Sequence, residues 1–85
     1  MEPKHIEEIL KTALELDEVH VQGDGSHYGV IAVSDKFATM SKLKQQQMIY
    51  APLTEYFATN AIHALTIKTF TTEQWKRERL LNMAG

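Results

Sequence analysis

Four histidines and no cysteine set the chemistry that this 85-residue chain can offer. Imidazole nitrogen is a ligand for zinc, copper, iron and nickel, and a proton carrier near neutral pH. Disulfides, thiolate catalysis and cysteine-built zinc or iron sites made by this chain alone are excluded. His63 sits at the start of the β-branched, apolar run Ile62-His63-Ala64-Leu65-Thr66-Ile67-Lys68-Thr69, and His27 opens His27-Tyr28-Gly29-Val30-Ile31-Ala32-Val33. Both lie where a loop becomes a strand, and side chains there are reachable. A single histidine at a strand end is ordinarily a hydrogen-bonded structural group, so the chemistry depends on whether the fold brings two together. Ser26 and Ser41 have no evident His–acid partner arrangement, and the carboxylates of the N-terminal segment read as solvated surface. The sequence does not point to an enzyme.

The elements that would position these residues can be read in order. Residues 3–16 predict a helix: Pro3 suits its first turn, and Ile6, Ile9, Leu10, Ala13 and Leu14 share one face. Residues 19–22 alternate as a short strand, Gly23-Asp24-Gly25-Ser26 is a turn, and residues 27–33 form a second strand, together a hairpin. Ser34 or Asp35 caps a short helical turn holding Phe37. Ser41 caps one bent helix over 42–58, kinked at Pro52, with Met40, Leu43, Tyr50 and Phe57 along its apolar stripe, Ile49, Leu53 and Tyr56 widening it, and Gln45-Gln46-Gln47 on a polar face. Residues 62–69 form the third strand. Thr71 or Thr72 caps a last helix over about 72–81, with Gln74 placed as in a capping box and Trp75 as anchor. Residues 82–85 read as a frayed tail. The order α-β-β-α-α-β-α predicts an α+β fold, a three-stranded mixed sheet covered by helices, in a single domain over 1–85.

Topology then bears on the histidines. About 28 residues (34–61) separate the second and third strands, enough for a crossover that leaves them parallel. If they are neighbours, His27 and His63, 36 positions apart in sequence, start adjacent strands at the same sheet edge. Two imidazoles are half of a closed metal site. Asp24 and His20 are the only further helpers nearby, and His20 is expected to point to solvent. The expectation is an incomplete site that waits for ligands from a partner.

Composition is that of an ordinary globular chain, 44% hydrophobic and 24% charged. No apolar run approaches the ~20 residues that span a bilayer, and the acidic, amphipathic N-terminus does not resemble a signal peptide. With no cysteine, this suggests the cytoplasm. The net charge of −2 disfavours general nucleic-acid binding. The acids concentrate in residues 1–24, while Lys36, Lys42 and Lys44 form a basic stretch without an acid between 36 and 48. Gly23-Asp24-Gly25-Ser26 lacks the GxGxxG and Walker patterns and precedes a strand, so it is no phosphate cradle.

Several separated blocks carry a family resemblance. They are Val19 through Tyr28, Val33 through Phe37, Met40 through Leu53, Ile62 through Lys68, and Thr72-Glu73-Gln74-Trp75. Together they cover nearly the whole chain, which resembles the BolA-like proteins, in particular their short bacterial type. The resemblance implies a fold similar to class II KH domains, a stress-response role and a monothiol glutaredoxin as heterodimer partner. It also implies a 2Fe–2S cluster shared with that glutaredoxin and glutathione, with none bound when the chain is alone. In the family pattern, the histidine near the start of the last strand matches His63, and the ligand on the loop between the first two strands matches His27 best. Lys68, Lys42 and Lys44 are the residues expected to help dock a partner. No membrane and no small-molecule substrate is implied. The alternative is a nucleic-acid-binding transcription regulator acting through the Lys36, Lys42 and Lys44 face. Against it, KH recognition needs a GxxG loop, and Gly23-x-Gly25 has the wrong spacing.

Overall fold

Pro3 occupies the first helical turn, where its missing N–H costs nothing, and α1 runs Pro3–Leu14. It ends two residues earlier than predicted because Glu15 turns into the left-handed region, φ 51°, while its N–H still bonds the Lys11 carbonyl. Lys36 closes the same helix end from outside, Nζ donating to the Leu14 carbonyl at 2.7 Å. Ile6 and Leu10 are fully buried, whereas Ala13, placed on that face by spacing, is exposed. The computed structural model describes residues 1–84 except Asp24 and Ser26, with side chains through Leu81; the predicted turn therefore lies partly outside the described residues.

Strand β1 (Glu18–Gly23) pairs antiparallel with β2 (His27–Val33), which pairs parallel with β3 (Ala64–Phe70), in the order β1-β2-β3. The sheet is mixed, as predicted, and β2 is its centre. Tyr28, Val30 and Ala32 alternate into the core with Val19 of β1, while His27, Gly29 and Ile31 face the other side. Ile6, Leu10, Ile49, Leu53 and Ile62 cover the inner face. The element order is compatible with a class II KH arrangement.

The predicted helix over 42–58 is not one bent helix. It is α2 (Lys42–Tyr50), a 3₁₀ turn over Ala51–Leu53, and α3 (Thr54–Ala58). Pro52 has no N–H to give and its ring obstructs the preceding turn, so the chain tightens there, and Leu53 is driven fully into the core. The predicted apolar stripe holds in part: Ile49 and Leu53 are fully buried, but Leu43 is 66% exposed, and α2 buries Gln45 beside Ile49. Gln45 is no part of a polar surface. Its amide donates to the Phe37 and Met40 carbonyls, both at 3.0 Å, and its carbonyl accepts from the Thr69 hydroxyl. One side chain thus ties the Asp35–Thr39 turn and β3 to α2 with every bond satisfied.

Helix α4 (Thr72–Ala84) begins with the predicted capping box. Gln74 N–H bonds Thr71 Oγ1 at 3.2 Å, and Thr71 N–H bonds Gln74 Oε1 at 2.9 Å. The helix reaches Ala84, so residues 82–84 are not a frayed tail, and Gly85 lies outside the described residues. Trp75 is 8% exposed and anchors α4 on the outer face, between the rings of Phe70 and His20.

Candidate metal centre at the sheet edge

His27 is the first residue of β2, in register with Ala64, the first residue of β3. His63 immediately precedes Ala64. The usual spacing and rise of parallel strands put the two histidine Cα atoms roughly 6 Å apart. Both residues are exposed. His63 lies in a bend just before the strand, not inside it as the 62–69 prediction had it. The reason is Ile62: it is 1% exposed and its N–H bonds the Tyr56 carbonyl at 3.1 Å, so the chain is held to the core until it turns outward at His63.

The β1–β2 end is shaped by Tyr28 and by Gly23 and Gly25, whose packing the turn assignment alone did not indicate. Tyr28 is buried, and its hydroxyl bonds the Gly25 carbonyl at 2.5 Å and also the Met1 carbonyl. It fastens the loop and the N-terminus beside His27. Gly23 is in register with Tyr28, and a Cβ there would stand 2.3 Å from Tyr28 Cδ1 and 2.7 Å from the His27 carbonyl oxygen. Gly25 has φ 101°, where a side chain would be strained. A glycine cross-strand from an aromatic residue, two positions before a second glycine, is the signal that could have flagged them.

The other titratable groups fall elsewhere. His20 pairs with Ile31, four register positions along the sheet from His27. It is exposed, as expected, with Nε2 3.1 Å from Glu18 Oε1 and one side of its ring on Trp75, centroids 5.3 Å apart. His5 is exposed and packs edge-on against Tyr56. Lys68 also pairs with Ile31, about 13 Å along the strands from the His27–Ala64 rung. Lys42 and Lys44 lie in the first turn of α2, where the Lys44 N–H bonds Ser41 Oγ. Among the described candidate residues, only His27 and His63 stand together at this end of the sheet. Among the described residues, no group of three or more His, Cys, Asp and Glu could hold a metal ion; Asp24, the helper expected from sequence, is outside them. Asp35 accepts from the Thr72 N–H and hydroxyl, and these bonds hold its carboxyl below the usual carboxylate range.

The BolA-like protein family matches residues 1–74, spanning the hairpin, both histidines and the capping box. The chain belongs to the BolA-like family. An uncharacterized protein of Haemophilus influenzae is 60% identical over 82 residues, covering 96% of both chains. The acid stress protein IbaG of Escherichia coli K12 is 54% identical over 82 residues, covering 96% of this chain and 98% of its own. Among solved structures, a bolA protein homologue from Coxiella burnetii superposes with a TM-score of 0.77 at 25% identity, covering 89% of this chain and 97% of its own. No described helix is long and apolar enough to cross a membrane.

Proposed function

We propose that this BolA-like protein is a non-enzymatic adaptor that binds a monothiol glutaredoxin in the cytoplasm. His63 and His27 would supply imidazole nitrogen to a 2Fe–2S cluster shared between the two chains and supported by glutathione. The observation that carries this reading is the parallel register of β2 and β3, which sets two exposed histidines at one sheet edge. The donor set fits a shared group: two imidazoles and no thiolate leave the remaining positions to the partner and glutathione. Imidazole in place of thiolate makes a 2Fe–2S centre less negative and raises its reduction potential. The residues of this chain orient the ligands: Tyr28 fastens the loop before His27, and Ile62 holds the chain that turns outward at His63. Ligation competes with protons, so acid weakens it.

The nucleic-acid alternative is the weaker reading. Of its three lysines, Lys36 is engaged at the end of α1, leaving Lys42 and Lys44.

The test is a titration into a glutathione-loaded, cluster-bearing monothiol glutaredoxin, followed by visible absorption and circular dichroism. The expected change saturates near one protein per cluster and is lost in His63→Ala. No change with both proteins folded, or an unaltered change in His63→Ala, overturns the reading.

A further inference from the structure

Strand β3 is an edge strand, with β2 on one side only. Two hydrogen bonds show which of its backbone groups face the open side. The Phe70 carbonyl accepts from Ser34 N–H at 2.9 Å, on the β2 side. The Leu65 carbonyl accepts from the Tyr50 hydroxyl of α2 at 3.4 Å, away from β2. N–H and C=O of one strand residue point the same way and alternate along the strand, so Leu65, Ile67 and Thr69 present both groups to the open edge. Among the described residues, no backbone group of another element closes the ladder at Ile67 or Thr69.

Beside this edge runs a groove of about 220 Å³, lined by Lys42 and Gln46 of α2 and by Ile67 and Lys68 of β3. Leu43, Gln46 and Tyr50 share a helix face at spacings of three and four, and Tyr50 reaches β3 itself. Leu43 is 66% exposed and Tyr50 37% exposed. The groove offers backbone pairing, the apolar side chain of Ile67 and two ammonium groups, with Tyr50 of α2 reaching the same strand at Leu65. No acid lines it.

We propose that the open edge of β3 is a docking site for an extended, acidic segment of a protein partner, which adds to the sheet as a fourth strand. Strand addition takes its affinity from main-chain bonds and its selectivity from alternate side chains. Here the alternate side chains of the guest meet Ile67 and Tyr50 on one face and Lys68 on the other, which selects apolar residues alternating with acids. A second copy fits poorly. Two β3 edges meeting about a two-fold axis would bring the Lys42 and Lys68 ammonium groups of both copies together, and lysines on an edge strand oppose such pairing. The site needs no cluster and is independent of the histidines.

The probe is a short, blocked, fluorescein-labelled peptide of alternating Glu and Val, compared with the corresponding Lys–Val peptide. Binding is read by fluorescence anisotropy and by amide hydrogen exchange. The expected result is saturable binding of the Glu–Val peptide, slower exchange at the Leu65, Ile67 and Thr69 amides, and about tenfold weaker binding in Lys42→Glu/Lys68→Glu. Ile67→Pro removes one outward N–H without touching the ladder to β2 and should also weaken binding; if it does not fold, the lysine variant stands alone. Equal binding of the Lys–Val peptide, or unchanged exchange at those amides, overturns the proposal. Protection that rises with protein concentration alone overturns it in favour of self-association. An oligothymidylate that protects the same amides and displaces the peptide overturns it in favour of nucleic acid.

Discussion

Replacing Gly23 by alanine tests whether close packing at the hairpin positions the histidine edge. The added Cβ would stand 2.3 Å from Tyr28 Cδ1, 2.9 Å from Tyr28 Cε1 and 2.7 Å from the His27 carbonyl oxygen. Separations under 3 Å force movement, and neither neighbour yields easily. The Tyr28 ring is buried and its hydroxyl is bonded to Met1 and Gly25, and the other contact is backbone. Overpacking of this kind costs about 1–3 kcal/mol. For a domain of this size each kcal/mol shifts Tm by about 4–8 °C, so a cost of about 2 kcal/mol lowers Tm by about 8–16 °C. Gly29→Ala is the control. It lies in the same hairpin, but its Cβ would meet nothing within 4 Å, so it should be neutral or slightly stabilising. Thermal unfolding followed by circular dichroism decides the matter. A Gly23→Ala Tm within about 2 °C of wild type, or a Gly29→Ala loss of equal size, would refute the packing argument.

Gln45→Leu keeps the volume but removes three hydrogen bonds, one buried and two partly buried, and should cost about 2–4 kcal/mol in urea unfolding with an unchanged m-value; a loss under about 1 kcal/mol would show that the network is redundant. Asp35→Asn tests the cap that the Asp35–Thr39 turn lends to α4. Because the Thr72 bonds depress the native carboxyl, its stabilisation is present above the unfolded value of about 3.9 and is lost as pH falls through the native one. The stability gap between wild type and Asp35→Asn should be open at pH 7 and close below about pH 4; a gap independent of pH contradicts the assignment. His63→Ala, at an exposed position in a bend, should leave stability within about 0.5 kcal/mol of wild type while abolishing the spectral change with cluster-bearing glutaredoxin, so that a ligand role is distinguished from a structural one.

Local chemistry was legible where the deciding residues are neighbours in sequence. Strand His27–Val33 was read with its observed bounds, because alternation and flanking turn residues define it. The Thr71–Gln74 capping box was legible because both partners lie within one turn. Reading failed where distant residues decide. Gln45 sits in a run of three glutamines that look alike, and only Phe37, Met40 and Thr69 distinguish it. Leu43 has the spacing of a core residue, yet the face of α2 that packs inward carries Gln45 and Ile49, and Leu43 is left outside.

By itself, the sequence determined the three strands and the first and last helices, the absence of a thiolate and a crossover long enough to leave β2 and β3 parallel. Those properties follow from backbone preferences and side-chain chemistry within short windows. Tertiary structure alone decided that the two strands are neighbours, that His27 and His63 share an edge, and that Lys68 stands well away from them. It also decided that β3 is left with an open side. Neighbourhood in a sheet is settled by which apolar faces bury one another, and that is a property of the whole packed core.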